Sequence, residues 1–365
     1  AEEIRVELAD NRGYDAKVIG DDPRSDLAVL KIDANDLPML TLGNSDHVRV
    51  GDVVLAVGNP LGIGQTVTAG IISAKGRTTG LSDGSFESFL QTDAPINQGN
   101  SGGALVSTAG ELVGINSQMV SPTGVNIGIG FAIPANMARS VAEQLIKSGE
   151  VKRGYLGVTI QPVTSDMAAN LGLKDVRGVI VNNIERGSPA ERAGLKQGDV
   201  ITVINGNQIE DGNSLRNIVA SAGPGVEVTM TILRDGREQQ LRATLGELAN
   251  QTTGRGAGGP TSEQSGGSSD EERLGFTATP MTPDLAARLG LRGNARGLAI
   301  TDVDPAGAAA EAGLRPGDVI EQVNRQAVRS MEDLKSALSR AGSRPLLLLI
   351  NRRGSTVYVT LRWDR

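Results

Sequence analysis

The feature that most constrains this chain is an internal repeat in its second half. Residues 156–209 and 274–328 match almost position by position, with one extra residue before Arg296 in the second copy. Both copies contain the string AGL-x-x-GDVI at the matching distance. Stacked repeat proteins need at least about three repeats to bury a continuous core. Two copies therefore predict two similar small domains.

The segment between the copies has a different composition. Residues 248–272 contain few apolar side chains and are dense in Gly, Ser, Thr and acidic residues. Such a segment cannot bury enough apolar surface to offset the entropy that it would lose on ordering. We therefore predict a flexible linker over 248–272, between one small domain over 151–247 and a second over 273–365.

The first part of the chain, 1–150, has the pattern of a β-rich domain. Short apolar runs such as IRVEL, DLAVLKI and DVVLAVG are separated by Gly, Asn and Asp. β-Branched segments at this spacing predict an all-β barrel or sandwich. The run ANMARSVAEQLIKS predicts a closing helix, because Pro134 precedes it and Gly149 follows it.

Composition excludes several classes of function. The 365 residues contain no cysteine, which removes disulfides, thiol nucleophiles and cysteine–metal sites. The formal net charge of −6, without a basic stripe, argues against a nucleic-acid partner. Because His, Asp and Glu show no metal-site spacing, we predict neither a metal nor another cofactor. No apolar run is long enough for a transmembrane helix.

The sharpest chemical signal is INQGNSGGAL, which runs from Ile96 to Leu105. The hydroxyl of Ser101 is uncrowded, and the neighbouring glycines let backbone N–H groups converge beside it. Converging donors form an oxyanion hole, which stabilises the negative oxygen of a tetrahedral intermediate. We assign these donors to the N–H groups of Gly99 and Ser101. The same letters also suit a hairpin turn, so this motif by itself leaves both interpretations open.

A second signal lies in DPRSDLAVLKI, where Asp26 comes immediately before an apolar strand. A catalytic triad needs a buried carboxylate that orients an imidazole and stabilises its protonated form. An aspartate at the entrance of a strand also fits a simple turn or cap. Asp26 therefore becomes informative only in combination with Ser101.

Together these motifs resemble the HtrA (Deg) family of serine proteases. SDLAVLK and GNSGGAL are separated by GDVVLAVGNPLG and followed by IGFAIP, and the AGL-x-x-GDVI repeats are similar to two PDZ domains. The resemblance covers essentially the whole chain and points to the bacterial periplasmic branch. It implies a mainly β fold: a trypsin-like double β-barrel, N-terminally incomplete, followed by two PDZ domains. It also implies that Ser101 is the nucleophile and that Asp26 is the orienting carboxylate.

The catalytic histidine is where the sequence departs from the family. In relatives the histidine precedes the aspartate, so its motif would fall just upstream of Ala1. His47 is the only histidine in the sequence, and it lies between Asp26 and Ser101 in a polar turn. We therefore predict that His47 is an exposed loop residue. We expect residues 1–365 by themselves to be inactive as a protease, since Ser101 would lack a general base.

The resemblance also implies a biological role. It implies ATP-independent endoproteolysis of misfolded or unfolded proteins in the periplasm, with chaperone activity as a second function. The implied partners are unfolded polypeptides, C-terminal peptides and further copies of the chain, as a homotrimer or a higher oligomer. The alternative hypothesis is a proteolytically inactive peptide-binding scaffold or chaperone.

A substrate pocket can be predicted in part. In a trypsin-like fold the residues before the nucleophile and a later loop enclose the side chain that precedes the cleaved bond. These segments are APINQ and SPTGVNIGIG, and neither contributes an acid. Ile96 therefore favours a small aliphatic residue over Lys or Arg at this position of the substrate.

A peptide site is predicted in the first repeat. The loop of Tyr155, Leu156, Gly157 and Val158 resembles the PDZ carboxylate-binding loop, whose N–H groups hold a peptide C-terminus while the peptide joins a sheet edge. The alternative is that these four residues form only a strand and a turn and bind no peptide. The second copy has RLGF, beginning at Arg273, and its role stays open between peptide binding and assembly.

Overall fold

The computed structural model describes residues 3–59, 64–79, 85–121, 126–173, 175–249, 274–291, 296–341 and 344–362. The chain divides into two compact units, Ala1–Tyr155 with Asn213–Val226 and Leu156–Gly212 with Glu227–Arg365. Most of the predicted linker 248–272 lies outside the described residues, so the predicted domain boundaries stay predictions. Within the described ranges, no helix is long and apolar enough to cross a membrane.

The first unit is mainly β, as the short apolar runs of 1–150 predict. Its elements up to the first repeat are β1 (Arg5–Glu7), β2 (Gly13–Asp22), β3 (Leu27–Ile32), β4 (Thr41–Leu42), β5 (Val53–Gly58), β6 (Thr66–Arg77), β7 (Phe89–Thr92), β8 (Ala104–Ser107), β9 (Glu111–Met119), β10 (Gly130–Pro134), α1 (Ala135–Ser148) and β11 (Gly154–Tyr155).

In the part of this unit that the structure describes, six strands close into an antiparallel barrel. Their order is β10-β7-β6-β5-β8-β9, and β9 pairs again with β10. Closure removes the free edges that an open sheet would present. Inward-pointing residues of the strands and of the segments next to them fill the barrel. This core consists of Val48, Val54, Ala56, Ile72, Leu90, Ala94, Ile96, Leu105, Val113 and Ala132.

The strands before the barrel form an open sheet in the order β1-β2-β3. Val18 and Leu30 are cross-strand partners in this sheet, and they are 44% and 43% exposed. The fold is therefore the trypsin-like one that the resemblance implies, with one closed barrel and one three-stranded sheet in the described residues.

Helix α1 begins and ends where the sequence predicts. Pro134 is its N-cap, and Gly149 ends it with a φ of 75° while its N–H donates to the carbonyl of Leu145. Glycine adopts this left-handed conformation without the steric cost that a Cβ would add. Val141 and Leu145 are buried on one face of the helix, as the apolar spacing indicates.

Within the described residues, the two repeats contain nine equivalent elements in the same order, and the first ends with an additional short strand. In the first they are β12 (Val158–Pro162), α2 (Ser165–Leu171), β13 (Val179–Ile184), α3 (Pro189–Arg192), β14 (Val200–Ile204), β15 (Asn207–Gln208), α4 (Gly212–Ala222), β16 (Glu227–Arg234), β17 (Arg237–Thr244) and β18 (Gly246–Glu247). In the second they are β19 (Phe276–Pro280), α5 (Pro283–Arg288), β20 (Leu298–Val303), α6 (Ala308–Glu311), β21 (Val319–Val323), β22 (Gln326–Ala327), α7 (Met331–Ala341), β23 (Leu346–Arg352) and β24 (Ser355–Leu361).

The sheet topologies confirm that the repeats are copies of one fold. The first sheet has the order β12-β13-β14-β16-β17 and the second has β19-β20-β21-β23-β24. The aspartate of each GDVI string makes the same ion pair, Asp199 with Arg234 and Asp318 with Arg352, both at 2.7 Å. The predicted pair of similar small folds is therefore confirmed.

Candidate active site

Ser101 lies in the turn that leads into strand β8. Gly99 and Gly102 have φ angles of 101° and 82°, which L-amino acids with a side chain rarely adopt. The N–H groups of Asn100 and Gly102 donate to the carbonyls of Asn97 and Asn116 at 3.0 and 2.7 Å. Among the described residues, the N–H groups of Gly99 and Ser101 donate to no backbone carbonyl. The predicted oxyanion donors are therefore not committed to other backbone groups.

Asn100 anchors this turn from the inside. Its side chain is 2% exposed, and its Nδ2 donates to the carbonyl of Pro95 at 3.2 Å. An added Cβ on Gly58, the last residue of β5, would collide with the Asn100 side chain. Strand β5 and the nucleophile turn therefore pack backbone against side chain, which only a glycine at position 58 permits.

Ser117 connects the two predicted catalytic side chains. Ser117 lies on β9 and is 8% exposed. Its Oγ donates to Oδ2 of Asp26 at 2.8 Å, and its carbonyl accepts a hydrogen bond from Oγ of Ser101 at 2.6 Å. The structure thus brings Asp26 and Ser101 to opposite polar groups of one residue. Ser117 could not be predicted from the sequence, because a serine within a strand carries no local motif.

The surroundings of Asp26 correct one expectation. Asp26 lies immediately before β3, as predicted, but it is exposed rather than buried. Its φ is 57°, a left-handed conformation that aspartate tolerates better than most residues. The β1-β2-β3 sheet is open at this point, so the described residues do not cover the carboxylate.

A buried ion pair holds the hairpin that carries Asp26. Asp22 and Arg153 are 6% and 8% exposed, and both guanidinium Nη atoms donate to the Asp22 carboxylate. Oγ of Ser25 donates to the same carboxylate. Burial by itself would raise the pKa of Asp22, but the hydrogen bonds from Arg153 and Ser25 outweigh it and hold the pKa below its ordinary value.

The side chain of Arg153 also contacts an aromatic ring. Its guanidinium carbon lies 4.4 Å from the ring centroid of Phe86. A cation over an aromatic face is attracted by the ring's quadrupole, and more strongly where water is excluded. Arg153 therefore connects Asp22 to the segment that precedes β7.

His47 is an exposed residue, as predicted. It lies in the turn before β5, and its Nε2 is 3.5 Å from Nδ2 of Asn44. No contact joins it to Asp26 or Ser101 within the described residues. The structure gives His47 no part in the arrangement around Ser117.

Ile96 is placed differently from what a substrate pocket requires. It is 1% exposed and belongs to the barrel core. Gly130 on β10 packs on it, since an added Cβ there would lie 2.7 Å from Cγ1 of Ile96. Ile96 therefore points into the core of the barrel, and its predicted role in a substrate pocket that prefers small aliphatic residues stays a prediction. Part of the second predicted wall, 122–125, lies outside the described residues.

The predicted carboxylate-binding loop has a defined backbone. Leu156 is 3% exposed, and Gly157 has a φ of 81°. The carbonyls of Leu156 and Gly157 accept hydrogen bonds from the N–H groups of Ala190 and Glu185 at 2.9 and 3.0 Å. The following strand, β12, stands at the end of its sheet order. An end strand is the place where an extended peptide can add.

The second repeat has the same loop geometry with a bulkier residue. Arg273 lies outside the described residues, while Gly275 has a φ of 72° and its carbonyl accepts from the N–H of Asp304 at 2.9 Å. Phe276 corresponds to Val158 and is 3% exposed. This aromatic ring is therefore part of the second repeat's own core.

Comparisons with known proteins agree with this geometry. A trypsin-like peptidase domain matches residues 1–115, and two PDZ-domain families match residues 154–245 and 299–352. A probable periplasmic serine endoprotease, DegP-like, of Chlamydia trachomatis is 42% identical over 364 residues, which cover 100% of this chain and 70% of that protein. Its counterpart in Pseudomonas fulva is 41% identical, over 99% of this chain and 74% of that protein.

Solved structures extend the similarity to three dimensions. The HtrA-type protease AlgW with a tripeptide is 48% identical, with a TM-score of 0.60 over 69% of this chain and 83% of that one. The same protease with a decapeptide gives a TM-score of 0.56 at 48% identity, over 69% and 77% of the two chains. With the Ser101–Ser117–Asp26 arrangement and the two repeats, these similarities show that the chain belongs to the HtrA-type, DegP-like periplasmic serine endoproteases.

Proposed function

We propose that this protein cleaves misfolded or unfolded polypeptides without ATP, and that it also holds them as a chaperone. The observation that carries the proposal is the position of Ser117, whose two polar groups bond to Ser101 and Asp26. A nucleophile and a carboxylate on either side of one residue are what an imidazole must bridge in acyl transfer.

In the proposed mechanism, Oγ of Ser101 attacks the peptide carbonyl. A histidine from outside residues 1–365 takes the hydroxyl proton and then gives it to the leaving amine, while Asp26 orients the ring. The N–H groups of Gly99 and Ser101 donate to the oxyanion. In the structure the Ser101 hydroxyl donates to a carbonyl, which is no general base. The hydroxyl must turn away from Ser117 before it attacks.

Self-association is part of the proposal, and an exposed apolar stripe supports it. Val53 on β5 and Ile71 on β6 are cross-strand partners that are 50% and 38% exposed. Val50 and Val67 lie nearby in sequence and are 63% and 56% exposed. Contiguous apolar surface of this kind is typical of protein–protein contacts. We propose that further copies of the chain cover it, as a homotrimer or a larger assembly.

Labelling with a serine-reactive phosphonate tests the proposed site. Residues 1–365 should react with a fluorophosphonate probe no faster than a Ser101→Ala variant, because the hydroxyl has no base. The same protein extended by the residues encoded upstream of Ala1 should label at one site and cleave casein. Equal and rapid labelling of the short form would contradict the assignment of the base.

The alternative function, an inactive peptide-binding scaffold, makes a different prediction. Under that hypothesis the extended protein binds a hydrophobic C-terminal peptide at the first repeat but cleaves nothing. Under ours, the extended Ser101→Ala variant binds the same peptide with unchanged affinity and has lost cleavage. Fluorescence anisotropy of the peptide and a cleavage assay on the same samples separate the two.

Ser117 should contribute to the rate through its hydroxyl. Ser117→Ala in the extended protein should lower kcat by about 10- to 100-fold, since a hydrogen bond to a charged group is worth about 1.5–3 kcal/mol. Ser117→Thr keeps the hydroxyl and should retain most activity. The KM should change little, so the loss should fall on kcat alone. An unchanged kcat for Ser117→Ala would reduce Ser117 to a structural residue.

A further inference from the structure

The two repeats differ systematically on one face of their sheets. Equivalent positions follow from the strand pairing: Thr231 pairs with Gln240 in the first repeat, as Leu349 pairs with Tyr358 in the second. Between β14 and β16 of the first repeat, Val203 pairs with Thr231, and between β21 and β23 of the second, Gln322 pairs with Leu349. At three equivalent positions of this outer face the first repeat carries Thr229, Thr231 and Gln240, whereas the second carries Leu347, Leu349 and Tyr358. The contrast is reversed at two other positions, where Val203 and Leu233 of the first repeat correspond to Gln322 and Asn351 of the second.

This apolar face of the second repeat is covered by the first. Leu347, Leu349 and Tyr358 are 2%, 0% and 3% exposed. They form one cluster with side chains of the first repeat, namely Val163, Met167, Ala168, Leu171, Ile180 and Val200. The alternate residues of β23, Leu346, Leu348 and Ile350, fill the second repeat's own core. Strand β23 is therefore buried on both faces, which explains its uninterrupted apolar run.

Polar contacts fix the register of this packing. The side-chain amide of Gln161 forms two hydrogen bonds with the backbone of Tyr358, as a neighbouring strand would. Its Nε2 donates to the carbonyl of Tyr358 and its Oε1 accepts from the N–H of Tyr358, both at 2.9 Å. Oγ1 of Thr356 donates to the carbonyl of Asn182 at 3.0 Å. The two bonds from Gln161 satisfy backbone groups that the end strand β24 would otherwise leave to water.

Arg325 stands where the first repeat has a glycine. The β14–β15 turn uses Asn205 and Gly206, with φ angles of 49° and 81°. The β21–β22 turn uses Asn324 and Arg325, with φ angles of 48° and 66°. Turns with two positive φ angles favour Asn-Gly, so an arginine at the second position is strained.

The strained arginine forms an ion pair and a hydrogen bond with groups of the first repeat. Nη1 of Arg325 is 2.9 Å from Oδ1 of Asp235, and Nη2 donates to the carbonyl of Gly198 at 2.7 Å. Gly198 lies in the first repeat's GDVI string, and Tyr358 Oη would lie 3.0 Å from a Cβ added there. The contacts of the Arg325 side chain with the first repeat thus offset the cost of its left-handed backbone conformation.

We propose that the second PDZ repeat is a docking module that clamps the first PDZ repeat of the same chain, with Leu347, Leu349 and Tyr358 as its apolar face and Arg325 as its lock. The inference concerns the tandem repeats and stands independently of proteolysis. Docking leaves β12 and β19 at the ends of their own sheet orders. Two peptide-accepting edges would then belong to one rigid body, whatever the length of the segment that joins the repeats.

The interface between the repeats gains free energy from apolar burial but loses part of it to buried polar atoms, so single substitutions should affect docking. Asn182 Oδ1, Arg325 Nε and Thr360 Oγ1 are buried without a hydrogen-bond partner in the described structure. Buried polar atoms without partners oppose the gain from apolar burial. Removing Arg325 should therefore shift the docking equilibrium measurably without unfolding either repeat.

Fluorescence resonance energy transfer within one chain tests the proposal. Because the chain has no cysteine, Glu238→Cys and Glu332→Cys place one dye on each repeat of residues 1–365. The parent should show one high-transfer state from nanomolar to micromolar concentration. Arg325→Gly and Arg325→Ala should each lower the docking constant about tenfold, the effect of losing one charge-assisted hydrogen bond. Arg325→Lys should fall between them and the parent.

Two further variants make the result specific. Leu347→Thr with Leu349→Thr places on the second repeat the threonines that the first repeat has at the equivalent positions, Thr229 and Thr231. We therefore expect the fold to be kept while docking is lost. Arg353 is a second left-handed arginine, with a φ of 52°, in the exposed β23–β24 turn. Arg353→Gly is therefore the matched control and should leave transfer unchanged. Hydrogen exchange in the β21–β22 turn should be slower for Arg325→Gly than for Arg325→Ala, because glycine relieves the strain.

Two outcomes would overturn the inference. One is unchanged transfer in both Arg325→Gly and the double leucine variant, once circular dichroism shows that they are folded. The other is transfer that appears only when donor-labelled and acceptor-labelled chains are mixed, which would place the contact between copies instead of within one chain.

Discussion

Asp26→Asn should lower kcat of the extended protein by about 10,000-fold, the effect known for an asparagine that holds the imidazole in the wrong tautomer. Ser101→Ala should lower kcat by about a million-fold, since it removes the nucleophile itself. Both follow from the position of the two side chains on either side of Ser117. Steady-state cleavage of an unfolded protein and single-turnover acylation would measure the losses.

The matched control for Asp26 is Asp21, an exposed carboxylate on the same hairpin. Asp21→Asn changes the charge by the same amount and should leave kcat within about twofold of the parent, as a surface change away from the site does. A tenfold loss or less for Asp26→Asn would remove Asp26 from the proposed triad. The double variant of Asp26 and Ser101 should be no worse than Ser101→Ala, because groups that act as a unit are not additive.

Asp22→Asn should destabilise the first unit by about 3–5 kcal/mol, because it leaves the buried Arg153 guanidinium without its counter-charge. Urea unfolding followed by circular dichroism would measure this. Asp10→Asn is the control, since Asp10 pairs with Arg12 on the same sheet but both side chains are about half exposed. That change should be close to neutral. Asp22→Leu combined with Arg153→Met should recover most of the lost stability, because no buried charge remains.

The Asp22 pair also predicts a dependence on pH. Its pKa in the folded state lies below its ordinary value, so the pair stabilises the fold fully above the unfolded pKa of about 3.9. This contribution is lost as pH falls through the lower, folded pKa. The stability difference between the parent and Asp22→Asn should therefore be largest near pH 7 and should narrow below pH of about 3.9. A constant difference would contradict the ion pair.

Local patterns predicted the elements that local physics determines. Pro134 and Gly149 mark both ends of α1, because capping depends on backbone conformation at single positions. The duplicated AGL-x-x-GDVI string predicted two copies of one fold. The glycines around Ser101 predicted a backbone that side chains would not crowd, and Gly99 and Gly102 indeed adopt the positive φ angles that favour glycine.

Contacts between residues far apart in the chain could not be predicted from the sequence. Ser117 and Asp26 are separated by 91 residues, and Arg153 and Asp22 by 131. Neither pair carries a local spacing, so only the closed barrel and the fold of the hairpin reveal them. The burial of Ile96 was missed for a related reason, since a residue beside a functional motif can still point into the core. The docking face, in contrast, is visible once the two repeats are aligned, because Thr229, Thr231 and Gln240 become Leu347, Leu349 and Tyr358.

Burial of β23 on both faces affects how the two PDZ repeats can be dissected. A version of the protein that ends at residue 249 would expose Ile180 and Val200 to solvent. Exposed apolar surface of this kind favours aggregation. Lower yield or altered assembly of such a shortened form would then result from exposure of this apolar surface, and not from the loss of peptide binding by the second PDZ repeat. Truncation experiments on this protein therefore need a control variant in which Ile180 and Val200 are replaced by polar residues.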